Sequence, residues 1–278
     1  MISRRITLSL GATCSNCSRN TFRWLLGNLN GFDAATGAVP DDQLPELEQY
    51  ILHRLYSVMT TVKKHYDEFQ YHKAYKVLYE FCGGDLSNFY FDARKDVLYC
   101  DPASSPVRRA CLTVLERIFK TLVTHVAPIL VFTCDEAWRS RYGQDESVHM
   151  QVFADVVPAW KKPVSFESRW SWLLAQRAAM NTQAEACRKD GSVGANADLM
   201  ATILLGEDAP IGVDDAALVS LVTGFSHTVI QQGDERHTAH AVIKHPGHKC
   251  PRCWRHYDKL EADGVCTRCE GALKEAAV

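Results

Sequence analysis
The sequence has almost no net charge. Its 31 lysines and arginines nearly cancel 33 aspartates and glutamates, leaving −2 at neutral pH. No global basic field surrounds the chain, so any contact with nucleic acid has to come from local patches. Long hydrophobic runs are also missing. The longest, from Val126 to Phe132, contains Pro128 and falls far short of the roughly 20 residues a bilayer-spanning helix needs, so no membrane partner is expected. The opening Met1-Ile-Ser-Arg-Arg-Ile-Thr-Leu-Ser-Leu10 is too short and too polar for a secretory signal. The phosphate-binding loops GxGxxG and GxxxxGKS/T, the GxSxG nucleophile elbow and the HExxH metal helix are all lacking. Paired acids such as Asp41-Asp42 and Asp214-Asp215 sit beside turn residues and read as helix starts. No catalytic residue is assigned, and no internal repeat or low-complexity tract interrupts the chain.

Cysteine, by contrast, is plentiful, with eleven in 278 residues. Five of them (Cys82, Cys100, Cys111, Cys134 and Cys187) are scattered singly, several within apolar stretches, and read as reduced core residues of a cytoplasmic protein. Cys14-Ser-Asn-Cys17 forms an isolated CxxC among small polar residues. The four that matter are Cys250-Pro-Arg-Cys253 and Cys266-Thr-Arg-Cys269. A CxxC turn brings two thiolates to one ion, and a second turn completes a tetrahedron, which suits one structural Zn²⁺ with no open position for water. Two disulfides are the alternative. Arg252 lies inside the first turn and Trp254 follows it. With Lys244, Lys249, Arg255 and Lys259 they form a local basic patch, to which His245, His248 and His256 add conditional charge. A rigid metal turn carrying a guanidinium and an exposed indole suits phosphate pairing and base stacking. Trp254 covering the metal as a small core is the other reading of that residue.

Apolar residues at three- and four-residue steps predict helices from Glu46 to Phe69 and from His72 to about Asn88. Ser105 and Pro106 predict the start of another, which runs until Pro128 kinks or ends it. Thr133-Cys-Asp-Glu136 has capping-box spacing and predicts a short helix containing Trp138. A further helix is expected from Ser168 to about Lys189, stopped by Asp190-Gly-Ser-Val-Gly194. Strands are expected over Leu199–Leu205, Phe225–Gln231 and His240–His245, with a short helix over Asp214–Val222. The fold class is therefore mainly α. An antiparallel helical bundle spans 19–142, a connecting segment 143–167, a helix with a small α/β unit 168–247 and a four-cysteine zinc knuckle 248–270, after an N-terminal segment 1–18.

Four stretches resemble the C-terminal part of bacterial isoleucyl-tRNA synthetases. They are Arg19-Asn-Thr-Phe-Arg-Trp-Leu-Leu-Gly-Asn-Leu29, Leu86-Ser-Asn-Phe-Tyr-Phe-Asp-Ala-Arg-Lys-Asp96, Ala127-Pro-Ile-Leu-Val-Phe-Thr-Cys-Asp-Glu-Ala-Trp138, and Cys250-Pro-Arg-Cys-Trp254 with Cys266-Thr-Arg-Cys269. The likeness runs from about residue 19 onward and leaves 1–18 unmatched. It implies a helical anticodon-binding domain followed by a zinc-bearing tail, with the anticodon arm of an isoleucine-accepting tRNA as partner. Carried over by motif, the four cysteines match zinc ligands, Arg252 and Trp254 match positions near the anticodon loop, and Arg19 and Arg23 lie at the matching start of the bundle. The family's ligase chemistry uses ATP in a Rossmann domain with HIGH and KMSKS signatures, and its editing uses an inserted domain. Neither pattern occurs in this sequence, and His245-Pro-Gly-His248 sits beside the knuckle rather than after a first strand. The resemblance thus implies a tRNA-binding part without ligase activity of its own, from a truncated or split gene or a paralogue, with a catalytic domain on a separate chain. A stand-alone nucleic-acid-binding zinc protein and a non-functional remnant are the rival readings.

Overall fold
The computed structural model describes residues 12–189, 191, 193–233 and 237–276, with side chains described from residue 18 onward. Residues 1–11 and the thiols of Cys14 and Cys17 lie outside that description, as do Asp190 and Ser192 of the expected helix stop. The chain divides into two compact units, one formed by residues up to Phe91 together with Arg109–Lys161, the other by Asp92–Arg108 together with Lys162 onward.

In chain order the helices are α1 (Ala12–Leu29), α2 (Ala34–Gly37), α3 (Glu46–Asp67), α4 (Tyr71–Glu80), a π-helical stretch (Phe81–Tyr90) that continues into α5 (Phe91–Cys100), α6 (Pro106–Val126) and α7 (Val131–Tyr142). α1 begins seven residues before the first matched stretch. α3 buries Leu47, Tyr50, Ile51, Leu55, Val58, Met59 and Val62 of the stripe its sequence spacing predicted, and Leu52 besides. It ends at Asp67, however, so Phe69 at the expected end lies outside it and is exposed. α6 opens as expected, the Ser105 hydroxyl accepting the Arg108 N–H at 3.3 Å. It ends at Val126, ahead of Pro128. The helix expected from His72 to Asn88 is real but changes pitch at Phe81, beside the glycine pair Gly83-Gly84. α7 corrects the capping-box expectation. It starts at Val131, and Thr133 is already inside it. The Asp135 carboxylate instead accepts from the Ser147 hydroxyl (2.5 Å), the Val148 N–H (3.2 Å) and Arg139 (2.7 Å). Those bonds hold it below the usual carboxylate range.

The core of the first unit is aliphatic and aromatic: Leu25, Leu29, Ile118, Phe119, Leu122 and Trp138 are all nearly or fully buried. α1 lies antiparallel to α6. Phe22 meets Phe119 edge-on at 6.1 Å, while further along α1 Arg141 bridges the Leu29 carbonyl (3.3 Å) to Glu116 (2.9 Å). One buried acid is satisfied within the unit, Glu48 accepting the Tyr90 hydroxyl at 3.1 Å.

The second unit begins its own helix at α8 (Val164–Lys189), followed by β1 (Leu199–Leu205), α9 (Ala216–Thr223), β2 (His227–Gln232), β3 (Ala239–Lys244), the short β4 (His248–Lys249) and β5 (His256–Tyr257), and α10 (Thr267–Ala276). β1 is central, paired parallel with β2 and antiparallel with β3, so that Thr202 faces Val229 on one side and Ala241 on the other. Its alternate residues Leu199, Ala201, Ile203 and Leu205 are buried, the period-2 signature of a strand covered on one face. The three strands and the helix between them fall within a residue or two of where the sequence put them. Gly191, at φ 76, terminates α8 in the left-handed region. β4 and β5 make a separate two-stranded ribbon that leads into the cysteine region. Among the described residues no helix is long and apolar enough to cross a membrane.

α9 is tied to α8 by a forked ion pair. Arg169 donates to both Asp215 oxygens (2.6 and 3.2 Å), and the Gly212 N–H donates to the same carboxylate at 2.8 Å. These contacts, the arginine foremost, hold Asp215 below the usual carboxylate range. Because the folded-state pKa is depressed, its contribution is complete above the unfolded value near pH 4 and fades as pH falls through the folded value. Asp215→Asn should therefore lower the denaturation free energy of the second unit by about 1–2 kcal/mol at pH 7. The deficit should shrink on acidification, as read from urea melts at pH 7 and pH 3.

Candidate metal centre and nucleic-acid interface
The four cysteines converge. Cys250 follows β4, Cys253 closes the same turn, Cys266 precedes α10 and Cys269 lies in its first turn. Their Sγ atoms all fall within 4.8 Å of one another, and Cys253 Sγ lies 3.8 Å from Cys266 Sγ. A tetrahedron of sulfurs about 2.3 Å from a common centre has edges of about 3.8 Å, so the spacing leaves room for one ion at its middle. Cys250, Cys266 and Cys269 are buried and Cys253 half-buried, with Val265, Tyr257 and Leu260 packed around them. All four thiols are free rather than paired in disulfides. Burial pushes the Cys250 thiol up, but backbone N–H groups around it, those of Cys253 and Cys266 foremost, prevail and bring it down to about 6. The fold thus supplies donors to a sulfur that a cation would also hold as thiolate. The cluster could hold a metal ion.

The backbone of the knuckle is closed by two hydrogen bonds, Trp254 N–H to Cys250 O and Cys250 N–H to Arg255 O, each 2.9 Å. Gly247 has to be glycine, because a Cβ there would lie 2.4 Å from the Tyr257 carbonyl oxygen. Trp254 stands at φ 62, in the left-handed region that a bulky side chain ordinarily avoids, and 67% of it is exposed. Of the two readings of this indole, the structure places it outward rather than over the cysteines.

The two arginines of the patch do not share that freedom. Arg252 donates from Nη1 to the Cys100 carbonyl at 2.6 Å, and the Cys100 thiol points back at the Arg252 carbonyl at 3.7 Å. Arg255 donates to Asp96 (3.1 Å) and to the Phe225 carbonyl (2.9 Å). Arg268, from the second CxxC, takes both Asp96 oxygens at 2.9 and 2.5 Å and reaches Asp101 at 3.2 Å. Burial works against its charge, yet Asp96 prevails and raises its pKa. Lys249 pairs with Asp198 at 2.8 Å but leaves 46% of its side chain exposed. Burial pushes the Asp198 carboxyl up, and Lys249 with the Gly194 and Ala195 N–H groups overrides it, so the acid stays below its usual range. Lys244, His248 and Lys259 are exposed. His245 is buried, and its burial together with neighbouring His256 lowers its pKa, so it adds no charge at neutral pH. Buried His256 meets the Ala197 carbonyl at 3.0 Å. In the first unit Arg19 and Arg23 lie on α1, half-buried and exposed respectively.

Sequence reading found the cysteines, the indole and the cations, and missed their anchors. Asp96, Asp101 and Cys100 stand some 150 residues away along the chain. The only signal near them is a pair of acids, Asp96 within α5 and Asp101 just past its end.

Comparison with known proteins places the chain. Residues 48–203 match the family described as the anticodon-binding domain of tRNA ligase. The isoleucine–tRNA ligase of Gluconobacter oxydans is 42% identical over 258 residues, covering 90% of this chain and 26% of its own. That of Zymomonas mobilis is 36% identical over 267 residues (92% and 27%), and that of Agrobacterium fabrum 35% over 277 residues (93% and 28%). The chain spans about a quarter of the length of these curated relatives, matching their C-terminal part. The match through 48–203 reaches well beyond a zinc finger and does not favour a stand-alone finger protein. With helices where the resemblance placed them and a cysteine cluster at the end, this chain belongs to the family of anticodon-binding domains of tRNA ligases.

Proposed function
We propose that the chain binds the anticodon arm of an isoleucine-accepting tRNA, as the RNA-binding part of an isoleucine–tRNA ligase, in the cytoplasm. The observation that carries this is Trp254, an exposed ring on a strained, metal-ready turn within a member of an anticodon-binding family. The indole serves as a stacking platform for an unpaired base. Exposed Lys244 and Lys259, and Lys249 once it leaves Asp198, supply phosphate contacts around it. Arg252 and Arg255 contribute through the turn they hold, and Arg19 and Arg23 offer cations on the helical unit. The ATP-dependent joining of isoleucine to tRNA belongs to the catalytic part of the enzyme, supplied in cis or by a separate chain.

One Zn²⁺ fits the cysteine cluster. Four thiolates at tetrahedral spacing leave no position for water, so the ion's work is to fold the tail. Metal analysis of freshly purified, reduced protein should give one zinc per chain. Cys250→Ser or Cys269→Ser should release it and strip hydrogen-exchange protection from residues 248–270, leaving the helices of the first unit protected. Protein free of zinc with the same protection would refute the assignment.

Binding should fall with salt as phosphate contacts release counterions, and Lys249→Ala should reduce the slope by about one. Trp254→Ala should weaken binding by about 1–3 kcal/mol, the worth of one stacked base. The informative measurement is filter binding of an isoleucine tRNA against the same tRNA altered only in its anticodon loop. Equal affinity for both would reduce the chain to a general RNA binder.

A further inference from the structure
The sheet of the second unit ends in β3. Its order is β2-β1-β3, so β3 has a strand on one side only. An antiparallel strand turns the peptide groups of alternate residues away from its partner. On β3 those of His240 and Val242 do so, and a side chain of α8 receives them. The Gln183 carboxamide accepts the Val242 N–H at 3.2 Å and donates to the His240 carbonyl at 3.2 Å. One turn on, the Cys187 thiol meets the Val242 carbonyl at 3.9 Å. Ala184, fully buried and small, lets the helix approach the strand closely. A carboxamide carries the donor and acceptor of a peptide group, so Gln183 makes two bonds that a fourth strand would otherwise make.

The strand that Gln183 closes is otherwise suited to pairing. A bare strand edge is a template for a strand of another chain, and proteins block such edges with proline, charge or bulges. β3 has no proline. From Ala239 to Ile243 it has no charge at neutral pH, since burial lowers the pKa of His240. Its solvent-side residues are apolar: Ile243 is 55% exposed, and Leu204 of β1, opposite Ala239, is 43% exposed. The strand also complements itself. Two copies of β3 set antiparallel about a twofold axis at Ala241 place His240 opposite the other copy's Val242, so that each such pair exchanges two hydrogen bonds. In the same register Ile243 lies opposite the other copy's Ala239, large against small.

We propose that Gln183 stands in for a fourth strand and keeps the edge of β3 from pairing with the β3 of a second copy of this chain. Gln183→Met keeps the length and helix preference of the side chain but removes both bonds. In amide exchange resolved by NMR on the full chain, the Val242 N–H should be protected in the parent. At low protein concentration Gln183→Met should speed its exchange about tenfold, the worth of one hydrogen bond, with the amides of β1 unchanged. On concentration, sedimentation should show Gln183→Met forming dimers and the parent none, and protection of Val242 should return as the dimers form. Adding Ala241→Lys, at an exposed position, sets two like charges across the axis. It should restore the monomer and leave Val242 exchanging fast. Rapid exchange of Val242 in the parent would overturn the proposal, as would equal exchange in Gln183→Met. So would a variant that stays monomeric at the concentrations used for NMR, a parent that dimerises with its carboxamide in place, or dimers that survive Ala241→Lys. Neither measurement involves tRNA, so both are independent of the anticodon reading.

Discussion
The tail of this protein turns on one carboxylate. Asp96, near the end of α5, receives Arg255 from the first CxxC turn and Arg268 from the second. Two guanidiniums on one partly buried acid fix both halves of the cysteine cluster to a single helix. Asp101 takes the remaining reach of Arg268, and the Cys100 carbonyl takes Arg252. Charge-assisted, forked bonds of this kind constrain direction as well as distance. The two CxxC turns would otherwise be short ribbons with too little apolar surface to keep a shape. Held this way, they have one geometry in which four sulfurs converge and one indole is left outside.

Legibility in the sequence followed the range of the interactions. The cysteine cluster was plain because its four thiols lie within twenty residues of one another and a CxxC turn brings two of them together. α3, α6 and β1 were plain because a buried stripe of period 3.6, or alternation of period 2, is written directly into the order of residues. α7 was misread because Thr133 and Glu136 have capping-box spacing, whereas the helix already begins at Val131 with no side-chain cap and both residues lie inside it. The change of pitch at Phe81 left no pattern beyond a pair of glycines. The least legible facts concern the arginines. Arg252 and Arg255 looked like surface cations waiting for phosphate, and the acceptors that engage them lie some 150 residues upstream. A sequence records that a charge exists, while its availability depends on partners brought in by the fold.

Exposed aromatics tell a complementary story. Folding normally hides large rings and leaves the backbone relaxed, yet Phe69 and Trp254 are both outward-facing and both in the left-handed region. Local stability is spent twice at each, once in strain and once in unburied surface. Such positions are where selection for contact outweighs selection for stability.

The second unit is also discontinuous in a way that limits its independence. Asp92–Arg108 belongs to it, although the residues on either side belong to the first. The cysteine-bearing tail therefore borrows its anchor from a stretch of chain that is made much earlier and returns at once to the other unit. No single cut can separate the two with Asp96, Cys100 and Asp101 still on the side of the knuckle. The tail is thus ill-suited to travel between genes as a portable module. During synthesis it stays unanchored until the last turns emerge and find a helix made some 150 residues before.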